Sequence, residues 1–345
     1  MKKLLWISCL CLAMALFVSF KPRYTISLLQ FNIWQEGTVV SGGFDTVADE
    51  IAKADADFVT LSEVRNYKDT RFCDRIVEKL REKGKTYYSF YSNDSGILSK
   101  YPIKESSTVY PLKNDQGSIY KAVVDVNGRE FAVYTAHLDY RHCASYLPRG
   151  YSGTDWHRLP EAVKDVDAVL KDNRDSQRSI AIAKFLEEAA KDKAMGRIVL
   201  LGGDFNEPSH LDWTESTARL FDHNGLVIPW DVTVALEKAG FMDAYREKYP
   251  NPVTHPGFTF PTDCPGVPLQ KLAWSPSADD RERIDYVFYL PEQKLSLSKI
   301  HMIGPSGMVC RNQRIPADTK DPVEKPSNLQ KWPTDHRALY AEFAY

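Results

Sequence analysis

The chain has 345 residues, 43% hydrophobic and 26% charged, which is ample length for a sizeable core and the composition of an ordinary globular protein. With 44 Lys and Arg against 46 Asp and Glu, the formal net charge is −2, which excludes a chain-wide basic footprint for long nucleic acid but not a local basic groove. The balance favours a small or weakly charged substrate.

Residues 1–23 read as a targeting segment. Lys2-Lys3 precede an apolar run over residues 4–20, and Lys21-Pro22-Arg23 restores polarity. A charged start followed by such a run predicts export by a signal peptide. The run is also just long enough to remain as a membrane anchor, and Cys9 and Cys11 admit a lipid-attached form, although Ile7-Ser8 and Leu10 fit a lipobox poorly.

Beyond it, short β-rich runs alternate with amphipathic helices. Residues 26–33 and 58–64 predict strands. Phe44, Val47, Ala48 and Ile51 recur at helical spacing, as do Phe72, Ile76, Val77 and Leu80 ahead of a terminating Gly84. Residues 96–99 predict a short strand followed by a turn. Asn127-Gly128 between residues 120–126 and 131–138 is the strongest hairpin signal. Residues 141–175, rich in Tyr, Arg, His and Pro, form a long insertion expected to be functional, because loops of that length rarely persist otherwise. Residues 179–191 predict a helix, and Asp231 can cap another that Gly240 closes. Residues 284–290, 295–303 and 338–343 are further strands. Hairpins mixed with helices point to an α+β arrangement of layers. One catalytic domain is expected over residues 24–345.

Four cysteines follow the N-terminal segment: Cys73, Cys143, Cys264 and Cys310. They lack the paired spacing of a zinc site. One or two disulfides in an oxidising compartment, or free thiols, both fit.

The chemistry concentrates at strand ends. Gly202-Gly203-Asp204-Phe205-Asn206 follows the apolar residues 198–201, so a carboxylate and a carboxamide leave one face two residues apart. The two glycines let the backbone turn sharply or approach a ligand. Asn32, Glu63 and His137 each end an apolar run, Asp285 lies in Arg-Ile-Asp-Tyr, and Asp335-His336-Arg337 precedes the last strand. Singly, each has a plainer reading as a turn former, a solvated strand end, a core histidine or an arginine partner.

Taken in order, strand-Asn, strand-Glu, strand-His, Gly-Asp-x-Asn, Ile-Asp-Tyr and Asp-His-Arg resemble the endonuclease/exonuclease/phosphatase superfamily over residues 24–345. The segment Gly96-Ile97-Leu98-Ser99-Lys100-Tyr101-Pro102-Ile103 is similar to another stretch of that family. The resemblance implies a four-layer α/β sandwich, with two mixed, largely antiparallel sheets packed face to face and helices outside. It implies that Glu63, Asn32 and Asp335 serve Mg²⁺ or Mn²⁺, ions that suit carboxylate and amide oxygens and retain waters. Asp204 would orient or deprotonate the attacking water, and Asn206 would hold it. His336, steadied by Asp285, and His137 would serve the phosphate or the leaving oxygen. Ala136-His137-Leu138 resembles the deoxyribonuclease, sphingomyelinase and inositol-phosphatase branches, unlike apurinic endonucleases, which use a tyrosine there.

The family's short link after His-Leu leads to a helix bearing an arginine, here Arg178. The insertion would bring Tyr140, Arg141, His142, Tyr146, Arg149 and Tyr151 towards the site, with Arg178, Tyr140 and Arg141 as substrate contacts. After Asn206, His210 and Asp212 could touch substrate or an extra metal, although a helix-start turn capped by Ser209 is the plainer reading.

The leading expectation is therefore an exported, metal-dependent hydrolase of a small phosphodiester or phosphomonoester, acting as a monomer. Any membrane contact would come through the N-terminal segment or a lipid substrate. A secreted nuclease is the runner-up, recognisable by steep salt dependence. A catalytically inactive binding module is the third reading, and the full set of site residues speaks against it.

Overall fold

A computed structural model describes residues 24–345, so the targeting segment expected at residues 1–23 lies outside the described residues. The chain first lays down β1 (Thr25–Asn32), α1 (Gly43–Ala54), β2 (Phe58–Val64), α2 (Phe72–Glu82), β3 (Tyr88–Ser89) and β4 (Asp94–Ser99). It continues through β5 (Ile103–Tyr110), β6 (Gly117–Val126) and β7 (Arg129–Leu138), then α3 (Val166–Arg174), α4 (Arg178–Ala194) and β8 (Ile198–Asp204). Next come α5 (Asp231–Lys238), β9 (Met242–Asp243), α6 (Ala244–Lys248) and β10 (Asp285–Tyr289). The last strands are β11 (Ser296–Ile303), β12 (Met308–Cys310), β13 (Gln313–Ile315), β14 (Val323–Glu324) and β15 (Ala338–Ala344).

Two large mixed sheets result, ordered β14-β11-β15-β1-β2-β4-β3 and β5-β6-β7-β8-β10-β9. In each, one central pair is parallel, β1 with β2 and β7 with β8, and its flanking neighbours are antiparallel. Strand alternation sorts the side chains into layers. Ile26 and Leu28, Phe131 and Val133, Ile198 and Leu200, and Val287 and Tyr289 face the core between the sheets. Leu29, Phe31, Val59 and Leu61 face outward onto Val47 and Ile51 of α1 and Phe72, Ile76 and Leu80 of α2. Ala132, Tyr134, Val199 and Leu201 meet Ala181, Ile182 and Phe185 of α4 and Leu236 of α5. Burial on both faces explains why these strands read as nearly continuous apolar runs. The fold is a four-layer α/β sandwich.

Asn127 and Gly128 both adopt positive φ, the turn geometry that matches strand twist. Gly202 and Gly203, in contrast, make no turn. They lie inside β8, where a Cβ on Gly202 would collide with Thr60 of the opposite sheet and one on Gly203 with the backbone of Ala136. Gly202 lets the two sheets close together, and Gly203 lets β8 lie tightly against β7.

Two expected caps differ. Ser209 starts no helix; its hydroxyl accepts the Leu211 amide in a turn. At α5, Asp231 is drawn to Arg174 and Asn173, so Glu207 Oε1 accepts the first-turn amide of Val232 instead, at 2.7 Å. All four described cysteines are free thiols.

Candidate active site

Each inward-facing apolar row ends in a polar residue at one edge of the sandwich. Leu28 is followed on its face by Gln30 and Asn32, Phe131 and Val133 by Thr135 and His137, and Leu200 by Gly202 and Asp204; Asp285 precedes Val287 on its row. The same alternation that builds the core thus delivers the site. Glu63 is the exception. A bulge between Ser62 and Val64, with Glu63 at φ 72°, turns its carboxylate towards the rim.

Asn32 sits at the centre. Its Nδ2 donates to Asp204 Oδ2 at 2.8 Å and to Glu63 Oε1 at 3.3 Å, while its Oδ1 accepts the Trp34 amide at 2.9 Å. The other Asp204 oxygen accepts the Asn206 amide at 2.9 Å, and Asn206 Nδ2 donates to the Leu138 carbonyl. His336 Nδ1 pairs with Asp285 Oδ2 at 2.8 Å, and its Nε2 lies 3.8 Å from both Asp204 and Asp335. Asp204, Asp285 and His336 bring ligand atoms within 4.8 Å of one another. The short Asp285–His336 contact makes the imidazole a hydrogen-bond partner there. On the strand beside Asp204, His137 Nδ1 pairs with Asp94 Oδ1 at 2.9 Å, and Asp94 also receives Arg65 at 2.9 Å.

Burial works against charge throughout this pocket, and the pairing decides the outcome. Burial would lower both histidines, but Asp285 raises His336 to about 10 and Asp94 raises His137 to about 9. Both rings are therefore held as cations. Burial, reinforced by the Asp285 charge, pushes Asp204 up to about 6. Asp335 rises to about 7 through burial, with His336 opposing and the charge of Glu63 adding to the rise. Glu63, Asp204 and Asp335 line one pocket, and the last two resist ionising beside the other carboxylates. Mg²⁺ or Mn²⁺ fits this oxygen-rich set. Asn32 turns its amide nitrogen to the carboxylates, leaving it only the second lone pair of Oδ1 for a metal.

Asn32, Glu63, His137, Asp204, Asn206, Asp285, Asp335 and His336 thus meet at one edge. Arg178 does not join them. It is fully buried, and its guanidinium donates to the carbonyls of Asp139, Arg141 and His142 at 2.6, 2.8 and 2.6 Å, to Asn173 at 2.7 Å and to Glu207 at 3.3 Å. With its donors spent on backbone and Glu207, it fastens the insertion in place of binding substrate. Arg141 is likewise turned away, onto Asp139 and the Asn114 carbonyl. His142 pairs with Asp172, Arg149 with Glu282, and Tyr151 with Ser277. Of the expected insertion contacts, Tyr140 and Tyr146 line the pocket. His210 pairs with Thr233 and Glu237, and Asp212 with Arg246 and Arg283, so neither reaches the site.

The pocket, about 320 Å³, is also lined by residues that sequence reading passed over, among them Arg65, Trp156, Phe260, Trp274, Asp280 and Glu282. Asp94 precedes the Gly-Ile-Leu-Ser stretch, but its partner lies 43 positions away. Trp156 follows a turn, at φ 55°, and packs on Trp274 at 4.6 Å, so the insertion meets a second loop over the catalytic edge.

Residues 29–336 match the Endonuclease/Exonuclease/phosphatase family. The chain is 28% identical over 340 residues to the uncharacterized protein F14F9.5 of Caenorhabditis elegans, covering 95% of this chain and 94% of that one. Among solved structures, humanized D. rerio TDP2 shares 16% identity at a TM-score of 0.53, covering 92% of this chain and 98% of that one. D. rerio TDP2 complexed with a single-strand DNA product gives 16% and 0.51, with the same coverage. These two likenesses concern the fold.

Proposed function

Because the chain belongs to the Endonuclease/Exonuclease/phosphatase family, we propose that it is a Mg²⁺- or Mn²⁺-dependent phosphoesterase that hydrolyses a small phosphodiester or phosphomonoester by in-line attack of water. The observation that carries this reading is the meeting of three carboxylates and two clamped histidines in one buried pocket. Export of a monomer, expected from residues 1–23, belongs to the same proposal.

Glu63 and Asp335 would hold the ion, with Asn32 beside them. When bound, it would neutralise charge gathering on the phosphoryl oxygens. Asp204, held through one oxygen by Asn32 and the other by the Asn206 amide, accepts the proton of the attacking water. Its pKa, about 6, leaves it ionised near neutrality yet more basic than an ordinary aspartate. His336 donates from Nε2 to a phosphoryl oxygen while Asp285 balances its charge. His137, on β7 beside Asp204, donates to the phosphoryl group or the departing oxygen.

The lining beyond the catalytic groups favours a small ester. Arg65 is its one arginine or lysine among the described residues, and Asp94, Asp115 and Glu63 surround it. The nuclease reading keeps second place, because a TDP2 neighbour is complexed with a DNA strand.

The test is a panel of bis-p-nitrophenyl phosphate, p-nitrophenyl phosphate, plasmid DNA, sphingomyelin and inositol phosphates, with Mg²⁺ or Mn²⁺ and with EDTA. Hydrolysis of small esters should vanish on chelation and fall at least ~10²-fold in Asp204→Asn and His336→Gln. Near-parental turnover in both variants would sink the assignment, and plasmid nicking without small-ester hydrolysis would promote the nuclease.

A further inference from the structure

Beneath the catalytic residues lies a second polar layer. Gln30 follows Leu28 on the inward row of β1 and is wholly buried, as is Thr60, its neighbour on β2. The Thr60 hydroxyl donates to Gln30 Oε1 at 2.7 Å, in space that Gly202 of the opposite sheet leaves open. That bond fixes which end of the amide faces which neighbour. Nε2 therefore donates to Asp285 Oδ1 at 3.3 Å and to Ser62 Oγ at 3.2 Å. The Ser62 hydroxyl gives its proton to the Ala136 carbonyl at 3.2 Å, and its lone pairs accept Gln30 and the Asp204 amide, the latter at 3.3 Å. One side chain of the first sheet thus touches Asp285 directly and Asp204 through a single hydroxyl.

For stability alone, an apolar residue at position 30 would continue the row of Ile26 and Leu28 without the cost of burying an amide. What the amide supplies is direction. Asp285 Oδ2 meets His336 Nδ1 at 2.8 Å, and among the described residues no side chain other than Gln30 donates to Oδ1. Held at both oxygens, the carboxylate keeps its plane, and the imidazole keeps Nε2 aimed between Asp204 and Asp335, 3.8 Å from each. With Oδ1 released, the carboxylate can swivel about its Cβ–Cγ bond, and the ring loses that aim. We propose that Gln30 is a positioning residue, whose amide, locked by Thr60, orients Asp285 and through it the His336 ring for contact with the phosphoryl group. The assignment rests on the hydrolase reading above and adds to it a residue that lies outside the pocket lining.

With the Mg²⁺-loaded full chain and bis-p-nitrophenyl phosphate, Gln30→Leu should lower kcat ~10–10²-fold and leave KM within ~2-fold. In an Asp285→Asn background the same change should cost less than ~2-fold, because the group it acts through is already altered. Thr60→Val unlocks the amide and should lower kcat ~3–10-fold, and Thr60→Ser, which keeps the hydroxyl, should restore it. An equal loss in both backgrounds, a loss carried by KM, or parental turnover in Gln30→Leu would overturn the positioning role and leave the hydrolase standing. Should Gln30→Leu fail to fold, Thr60→Val in the two backgrounds carries the same comparison. If the parent cleaves no ester, the hydrolase reading fails, and the ring ¹⁵N signals of the histidines decide. Gln30→Leu should then move the His336 signals, identified by their loss in His336→Gln, and leave those of His137 in place. Unmoved His336 signals, or both rings moved alike, overturn the positioning role.

Discussion

Arg178→Met separates a structural arginine from a substrate-binding one. The side chain is fully buried, and its removal strands three backbone carbonyls, the Asn173 amide oxygen and the Glu207 carboxylate. Breaking a buried charge pair by deleting one partner costs ~3–5 kcal/mol, because the remaining charge stays desolvated. At ~2.1 cal/mol/K per residue the unfolding entropy of this chain is roughly 0.7 kcal/mol/K, so ~4 kcal/mol lowers Tm by about 6 °C. The assay is thermal unfolding followed by circular dichroism, with urea titration at fixed temperature as the second measure. Glu207→Gln removes the stranded charge, so in that background Arg178→Met should cost ~2 kcal/mol less. A substrate arginine would behave oppositely, raising KM while leaving Tm unchanged. A melting point within about 1 °C of the parent would refute the reasoning.

The remaining predictions concern the catalytic pair, the fit of β8 against β7 and acid stability. Asp94→Asn removes the charge that chiefly raises His137 to about 9, so burial, opposed only by Asp204 and Glu63, brings the imidazole down. kcat should fall ~10–10²-fold at pH 8 and partly recover towards pH 6; a pH–rate profile parallel to the parent's would count against His137 as a donor. Gly203→Ala forces a methyl group against the Ala136 backbone and should cost ~2–3 kcal/mol in urea unfolding, whereas parental stability would show that β7 and β8 can yield there. His223 is stacked on Trp213 and, through burial and the nearby Arg149 charge, pushed down to about 2. Its folded pKa lies below the unfolded value near ~6.5, so its contribution is present above that pH and lost as pH falls, at about 1.4 kcal/mol per unit. Unfolding curves at pH 7 and pH 5 should therefore differ less in His223→Phe than in the parent.

Much of this was legible in the sequence because the site residues sit at the ends of apolar rows. The runs before Asn32, His137 and Asp204 mark both the strand and the face on which the polar residue emerges. Side chains joined through space were harder to read. Asp94 opens a strand as an unremarkable acid until His137 is placed beside it. Arg178 had the residue type of a phosphate binder, and only its carbonyl partners show that it is occupied. The insertion was visible as an interruption, but Trp156 and Trp274 come from segments without hydrophobic periodicity, so their meeting could not be read. The double glycine was misread for the same reason. Its need for space comes from Thr60, 142 positions earlier, and from Ala136 on the adjoining strand.

The catalytic constellation straddles the seam between the sheets. Asn32 and Glu63 ride on one, with Asp335 and His336 in the bend that leads into its β15, and His137, Asp204 and Asp285 ride on the other. Catalysis therefore depends on the alignment of two slabs whose spacing Gly202 and Thr60 define. A small slip would part the halves of the machinery while each slab kept its hydrogen-bonded ladder. Under rising denaturant, turnover should fade while the far-ultraviolet signal is still intact, making the reaction itself the most sensitive gauge of that seam.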